Sequence, residues 1–151
     1  MEIIETKIKD LLIIKPNVFL DERGYFFESY NRKRFLEHGL DMTFVQDNES
    51  QSMRGVLRGL HFQKPPYAQG KLVRVVKGAV MDVAVDLRKG SHTYGQWESV
   101  VLTEDNKFMY WIPKALPTAS SALRTTRYSP TNAPTSTTKP PKAVSAGTTP
   151  T

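Results

Sequence analysis

Cysteine is absent from the 151 residues, which excludes disulfides, thiolate nucleophiles and cysteine-ligated zinc within this chain. No apolar run approaches the ~20 residues that a membrane-spanning helix needs. The amino-terminal Met-Glu-Ile-Ile-Glu is acidic and lacks the apolar core of a signal peptide, so a cytoplasmic protein is expected. Neither a Walker motif nor a Gly-rich dinucleotide fingerprint is present, so a phosphate site would have to be built from side chains.

Acidic residues are absent after Asp105, and the composition changes at Lys114. Residues 115–151 are rich in Thr, Ser, Ala and Pro and carry a charge of +4, whereas the first 114 residues carry only +2 (17 basic against 15 acidic side chains). Because the basic character lies mainly in this tail, it does not predict nucleic-acid binding. So little apolar surface predicts a disordered tail without regular structure from about Ala119 onward.

The first 114 residues favour strands. Asn31–His38 is the one good helix candidate, with Asn31 as its cap, Gly39 as its end, and Phe35 and Leu36 facing inward. Lys77-Gly78 suits a two-residue hairpin turn. Short strands with Gly-rich turns indicate an all-β sandwich, barrel or jelly roll. The predicted strands are Leu11–Ile14, Tyr25–Phe27, Met42–Val45, Gly55–Phe62, Lys71–Val76, Ala79–Leu87, Glu98–Leu102 and Met109–Ile112.

Ala79–Leu87 alternates most clearly, and one of its faces carries Val80, Asp82, Ala84 and Asp86. Two carboxylates on an otherwise apolar face indicate either a wet edge or a polar cavity. Asp86, next to a turn, favours a structural role, whereas for Asp82 the structural and functional interpretations are equally good.

His61 lies among apolar residues on a predicted strand, so it is either a satisfied structural histidine or a general base. A metal site is not favoured, since His38 lies on the helix and His92 in a turn. Arg58 and His61 would point to opposite faces of a regular strand. They can share a site only if Gly59 marks a bulge or a partner subunit supplies one of them.

Seven segments together resemble the dTDP-4-dehydrorhamnose 3,5-epimerase family. Each motif is ordinary alone, but their order and spacing across residues 1–114 are specific. The segments are Asp21–Glu28 (DERGYFFE), Gln46–Ser50 (QDNES), Gly55–Gln63 (GVLRGLHFQ), Gly70–Gly78 (GKLVRVVKG), Val80–Arg88 (VMDVAVDLR), Ser91–Gly95 (SHTYG) and Trp111–Lys114 (WIPK).

The resemblance implies a cupin-like jelly roll that acts as a homodimer without metal or organic cofactor. The implied reaction epimerises C3 and C5 of dTDP-4-dehydro-6-deoxy-D-glucose through an enolate, on the route to dTDP-L-rhamnose and the rhamnose of the cell surface. By the same resemblance His61 is the base, Asp82 lies near it, and Lys71 stabilises the enolate oxygen or contacts the sugar. The implied nucleotide-binding residues are Arg23, Glu28, Gln46, Asn48 and Arg58, with Phe26 near the nucleobase.

The tail departs from the family pattern after Trp111–Lys114. Ala115–Ser120 is what a one-base deletion in codons for the family's Gly-Phe-Ala-His-Gly-Phe would encode. On this interpretation the domain spans residues 1–114 and its last strands are missing. The family's tyrosine acid and the carboxylate that orients the histidine are then missing too. A sugar-nucleotide-binding or structural cupin fragment without catalysis is the alternative to an enzyme. Another deoxysugar enzyme of the same fold, such as a 3-epimerase or ketoisomerase, is a weaker third possibility.

Overall fold

The computed structural model describes residues 1–114 and 116–133, which form thirteen strands and one short helix. The strands are β1 (Glu2–Glu5), β2 (Leu12–Lys15), β3 (Val18–Asp21), β4 (Gly24–Phe27), β5 (Gln46–Asp47), β6 (Ser50–Ser52), β7 (Leu57–His61), β8 (Gly70–Lys77), β9 (Ala79–Val85), β10 (Trp97–Thr103), β11 (Met109–Ile112), β12 (Thr118–Ala122) and β13 (Thr126–Ala133); the helix α1 is Arg32–Glu37.

Two antiparallel sheets form the body of the fold. The larger has seven strands in the order β1-β2-β11-β8-β13-β5, with β6 also paired to β13. The smaller has the order β10-β9-β12-β7, and β3 and β4 form a separate hairpin. Because strands close in sequence are divided between two facing sheets, the fold is a jelly roll, and the predicted all-β, cupin-like class is confirmed.

The main core lies between the two sheets. Val73 and Val75 of β8 meet Val80 and Ala84 of β9 there, with Tyr110 completely buried. A second core covers the opposite face of the large sheet, where α1 places Phe35 against Ile14, Leu72 and Met109. The large sheet is therefore covered on both faces. The outer face of the small sheet leaves Met81, Trp97 and Val101 exposed.

The helix begins and ends as its sequence predicts. The Asn31 side chain accepts a hydrogen bond from the Arg34 amide, and Gly39 has the positive φ of 76° that glycine tolerates. Phe35 is buried as expected, but the inward position predicted for Leu36 is wrong, since that side chain is 42% exposed.

Two further local predictions in the first 114 residues are wrong. Met42–Val45 is not a strand, and pairing begins only at Gln46. Lys77-Gly78 is not a hairpin turn, because β8 and β9 belong to different sheets and the chain crosses between them there. A Cβ on Gly78 would lie 2.3 Å from the carbonyl oxygen of Thr125, so a close approach of two backbones explains this glycine.

The expectation of disorder and missing strands after Lys114 is wrong for residues 118–122 and 126–133, which form β12 and β13. β12 joins β9 to β7, and β13 lies inside the large sheet beside β8. Composition misled here because small side chains allow close strand packing and β-branched threonines favour strands. The remaining tail residues, 115 and 134–151, lie outside the described part of the chain.

Candidate functional site

A β-bulge in β7 brings Arg58 and His61 to one site. Along β12, Thr118 is opposite His61 and Ser120 is opposite Arg58, so three steps on β7 match two on β12. Gly59 provides the bulge with a φ of 140°, and a Cβ there would lie 2.4 Å from that of Ala119. The bulge is the first of the two solutions that the sequence left open.

His61 is only partly exposed at the end of β7, and its surroundings favour the neutral imidazole. Partial burial lowers its pKa, and the positive charges of Lys71 and Arg58 lower it further. A neutral imidazole at pH 7 can accept a proton, which is the requirement for a general base. Within the described residues, no carboxylate is hydrogen-bonded to this ring.

Asp82 lies in the interior between the sheets, on a strand that is paired on both sides, so the wet edge is excluded. It is completely buried, and burial raises its pKa to about 6. The Tyr128 hydroxyl donates a 2.6 Å hydrogen bond to Asp82 Oδ2, and that bond and the charge of Lys71 both oppose the rise. Oδ1 of Asp82 is buried and has no hydrogen-bond partner.

The charge of Lys71 acts on the pKa of both His61 and Asp82; these three residues and Tyr128 are called the interior cluster below. Burial lowers the pKa of Lys71, while the Asp82 carboxylate acts in the opposite direction. Asn132 lies directly opposite Lys71 in the pairing of β13 with β8. The Asn132 amide donates to Gln46 Oε1 at 3.5 Å, and Gln46 in turn donates to Asn48 Oδ1 at 3.3 Å. Two of the predicted nucleotide-binding residues therefore lie beside the strand pair that carries Lys71.

The remaining predicted nucleotide-binding residues lie on or beside the β3–β4 hairpin. Arg23 binds Asp21 at 2.6 Å, Phe26 is 69% exposed, and Glu28 pairs with Arg34 at 3.5 Å. None of the hydrogen bonds or ion pairs of the described residues joins these three to the interior cluster. The structure thus brings together six of the nine predicted site residues: His61, Lys71, Asp82, Arg58, Gln46 and Asn48.

Sequence reasoning missed Tyr128 and Asn132 because both lie in the segment expected to be disordered. Tyr128 is the one aromatic residue of the tail, and that was the available signal. Asp86, in contrast, has the structural role favoured for it. Its carboxylate accepts hydrogen bonds from Arg88, Ser91 and Thr93 in the turn after β9, and these hold its pKa well below the usual range.

Elsewhere in the described chain, a cleft of about 530 Å³ lies beside the β1–β2 connection, and its lining contains none of the predicted site residues. The described residues hold no group of three His, Asp or Glu side chains suited to a metal ion. No helix within residues 1–114 or 116–133 has the length and apolar character needed to cross a bilayer.

The two facing sheets with a polar interior cluster define a cupin-like protein. The family model for dTDP-4-dehydrorhamnose 3,5-epimerase matches residues 5–131. The chain therefore belongs to this family. The match passes residue 114 and includes β12 and most of β13.

Relatives and solved structures agree with this assignment. The chain is 58% identical over 115 residues to the dTDP-4-dehydrorhamnose 3,5-epimerase of Shigella flexneri, covering 76% of this chain and 64% of the relative. The Legionella pneumophila dTDP-6-deoxy-D-glucose-3,5-epimerase, solved with dTDP-4-keto-L-rhamnose, superimposes with a TM-score of 0.84 and 47% identity, covering 88% and 71% of the chains. The Bacillus anthracis 3,5-epimerase, solved with TDP and PPi, gives a TM-score of 0.86 and 42% identity, covering 88% and 77%.

The chain spans less than two thirds of the length of the first curated relatives. The covered shares are 64% for the Shigella flexneri protein and 60% for that of Methanothermobacter thermautotrophicus, which is 56% identical over 111 residues.

Proposed function

We propose that this chain is a sugar-nucleotide epimerase that acts on C3 and C5 of dTDP-4-dehydro-6-deoxy-D-glucose. The observation that carries the proposal is His61, with its pKa lowered, beside the charges of Lys71 and Arg58 in a family domain. The complex of the Legionella pneumophila relative with dTDP-4-keto-L-rhamnose supports the class of substrate.

The chemistry follows from the C4 ketone, which acidifies the protons on C3 and C5. Neutral His61 removes one proton and becomes imidazolium, and the electron pair of the broken C–H bond moves into an enolate. Lys71 stabilises the negative enolate oxygen with its positive charge. A water molecule donates a proton to the opposite face of the carbon, and the His61 imidazolium releases the abstracted proton to solvent, so the inversion ends with no net gain or loss of protons or electrons.

The test of His61 is hydrogen exchange at the substrate carbons. In D₂O, the chain should incorporate deuterium at C3 and C5, as followed by NMR. His61→Asn should slow the incorporation by roughly 10²–10⁴-fold, which is the usual contribution of a general base. His38→Asn, on the exposed end of α1, is the matched control and should leave the rate unchanged. Equal rates for His61→Asn and the native chain would reject His61 as the base.

Binding of dTDP tests whether Arg58 contacts the phosphates of the substrate. Arg58 should contribute to dTDP affinity, and that affinity should fall as salt rises, because a charged phosphate contact is screened. Calorimetry with Arg58→Ala should show weaker binding. Arg32→Ala, which removes the same charge from α1, should bind like the native chain. Equal affinities in both variants would contradict the placement of Arg58.

A second candidate function is sugar-nucleotide binding without turnover. It is favoured by the lack of a carboxylate on the His61 ring within the described residues, because such a partner normally fixes the tautomer and orientation of a catalytic histidine. Binding of dTDP together with no deuterium incorporation in either C–H position would select this alternative over the epimerase.

A homodimer and a cytoplasmic location belong to the same proposal. The β3–β4 hairpin leaves Phe19, Leu20, Tyr25 and Phe26 more than half exposed, and such an apolar surface fits a partner subunit. The same dimer brings Arg23, Phe26 and Glu28 to the interior cluster of the second copy. Sedimentation velocity should show a dimer that Leu20→Ser weakens; a native chain that sediments as a monomer at micromolar concentration would contradict it.

A further inference from the structure

Tyr128 is the one side chain that β13 contributes to the carboxylate of the interior cluster. It lies opposite Val75 of β8 and packs against the main core. Its hydroxyl is 2.6 Å from Asp82 Oδ2, a distance typical of a strong hydrogen bond to an ionised oxygen. Neither the family motifs of residues 1–114 nor the sequence reasoning assigns this residue a role.

Few other side chains can stabilise the negative charge of the Asp82 carboxylate. Lys71 of β8 and Tyr110 of β11 are the other titratable groups that interact with it electrostatically. Its direct neighbours in the small sheet, Val100 and Ser120, carry no charge. The Tyr110 hydroxyl donates at 3.5 Å to the carbonyl of Glu98 and not to the carboxylate. Tyr128 is therefore the side-chain donor to Asp82 in the described chain.

We propose that Tyr128 is a positioning residue: through its hydrogen bond to Oδ2 it keeps Asp82 as the buried counter-charge of Lys71. The role rests on the proposed function, in which Lys71 stabilises the enolate oxygen. A completely buried carboxylate that loses its side-chain donor takes up a proton more readily, since burial already penalises the charged form and only the Val83 backbone bond and the charge of Lys71 still oppose that penalty. A neutral Asp82 then no longer favours the charged form of Lys71.

Tyr128→Phe is the direct test, because it removes the hydroxyl and keeps the ring in the core. The Asp82 carboxyl is titrated by carbon NMR in the full chain, and its signal is identified by its loss in Asp82→Asn. The native midpoint is expected near the pKa of about 6. In Tyr128→Phe it should rise by about one pH unit or more, and the midpoint of the Lys71 ammonium should fall.

Tyr110→Phe is the matched control, since it removes a buried hydroxyl from the same core that is not bonded to Asp82. Its Asp82 midpoint should agree with the native one. Fluorination of the Tyr128 ring tests the opposite direction without loss of the side chain: a more acidic phenol donates more strongly and should lower the midpoint. An unchanged midpoint in the fluorinated chain overturns the proposal, even where Tyr128→Phe fails to fold.

The pH dependence of deuterium incorporation distinguishes a positioning residue from a purely structural one, because loss of a structural residue would not change it. The rate of deuterium incorporation in Tyr128→Phe, divided by the native rate at the same pH, should fall below the raised Asp82 midpoint and recover above it, while dTDP affinity stays constant. Protonation of His61 slows both chains alike and cancels in this ratio. A ratio that is lowered equally at every pH contradicts the positioning role. Absence of incorporation in the native chain rejects the epimerase instead, and the NMR titrations then decide the Tyr128–Asp82 linkage alone.

Discussion

Two carboxylates that lie four residues apart, on the same face of one chain segment, have pKa values shifted in opposite directions. Asp82 and Asp86 are both completely buried, but burial raises the pKa of the first, and hydrogen bonds, above all from Arg88, lower that of the second. The number of donors makes the difference, because Asp86 accepts bonds on both oxygens whereas Asp82 has one side-chain donor on Oδ2. At the residue scale, the number of hydrogen-bond donors determines in which direction the pKa of a buried carboxylate is shifted.

Asp82→Asn tests the cost of the buried charge. The folded-state pKa of about 6 exceeds the ordinary 3.8, so the folded chain binds more protons in that interval and Asp82 lowers stability as pH rises through it. Relative to Asp82→Asn, the native chain should lose on the order of 2–3 kcal/mol of unfolding free energy between pH 4 and pH 8. Urea denaturation at both pH values measures this loss, and parallel pH profiles would disprove it.

Asp86→Asn should have the opposite pH dependence. A lowered folded-state pKa contributes stability above the ordinary value of 3.8, and this contribution is lost as pH falls below it. Because the change also weakens the pair with Arg88, it should cost roughly 3 kcal/mol at pH 7. The cost should shrink in acid. Asp105→Asn, in an exposed turn, is the control and should change stability by less than about 0.5 kcal/mol.

At the scale of the element, the bulge in β7 determines which side chains share the site. Gly59→Ala adds a Cβ against Ala119 at a φ of 140°, so both strain and overlap oppose it. The expected cost is roughly 2–4 kcal/mol, from about 1–2 for the backbone and about 1–3 for overpacking. Gly90→Ala, at a φ of 84° with nothing within 4 Å, isolates the backbone part. Equal urea midpoints for the two variants would refute the close approach of β7 and β12.

At the scale of the whole molecule, the segment after Lys114 joins both sheets. β12 lies between β9 and β7, and β13 lies beside β8 within the large sheet. Amides of β13 should therefore exchange with solvent as slowly as those of β8, because both open only when the sheet unfolds. The β3–β4 hairpin provides the internal control and should exchange fast. Rapid exchange across Thr126–Ala133 would show that this segment is not part of the folded sheet.

Local sequence patterns in the first 114 residues were sufficient to predict much of the fold and to identify the family. The caps of α1, the strand Met109–Ile112 and the alternation around Asp82 depend on neighbouring residues, and the structure confirms them. Motif order likewise depends only on the chain, and the family match confirms it. The roles of the nine site residues carried over from those motifs stay predictions, and the structure groups six of the nine.

The features that local patterns failed to predict depend on pairing between distant strands. The residues that determine such pairing lie far apart in the chain, so no short segment reveals it. Gly78 suits a hairpin turn by its neighbours, but the chain crosses between sheets there since Thr125 approaches it. Thr118–Ala122 and Thr126–Ala133 have little apolar surface of their own and become strands because β7, β8 and β9 offer unpaired edges to them. The contact of Tyr128 with Asp82 exists only through that pairing, so no local pattern could reveal it.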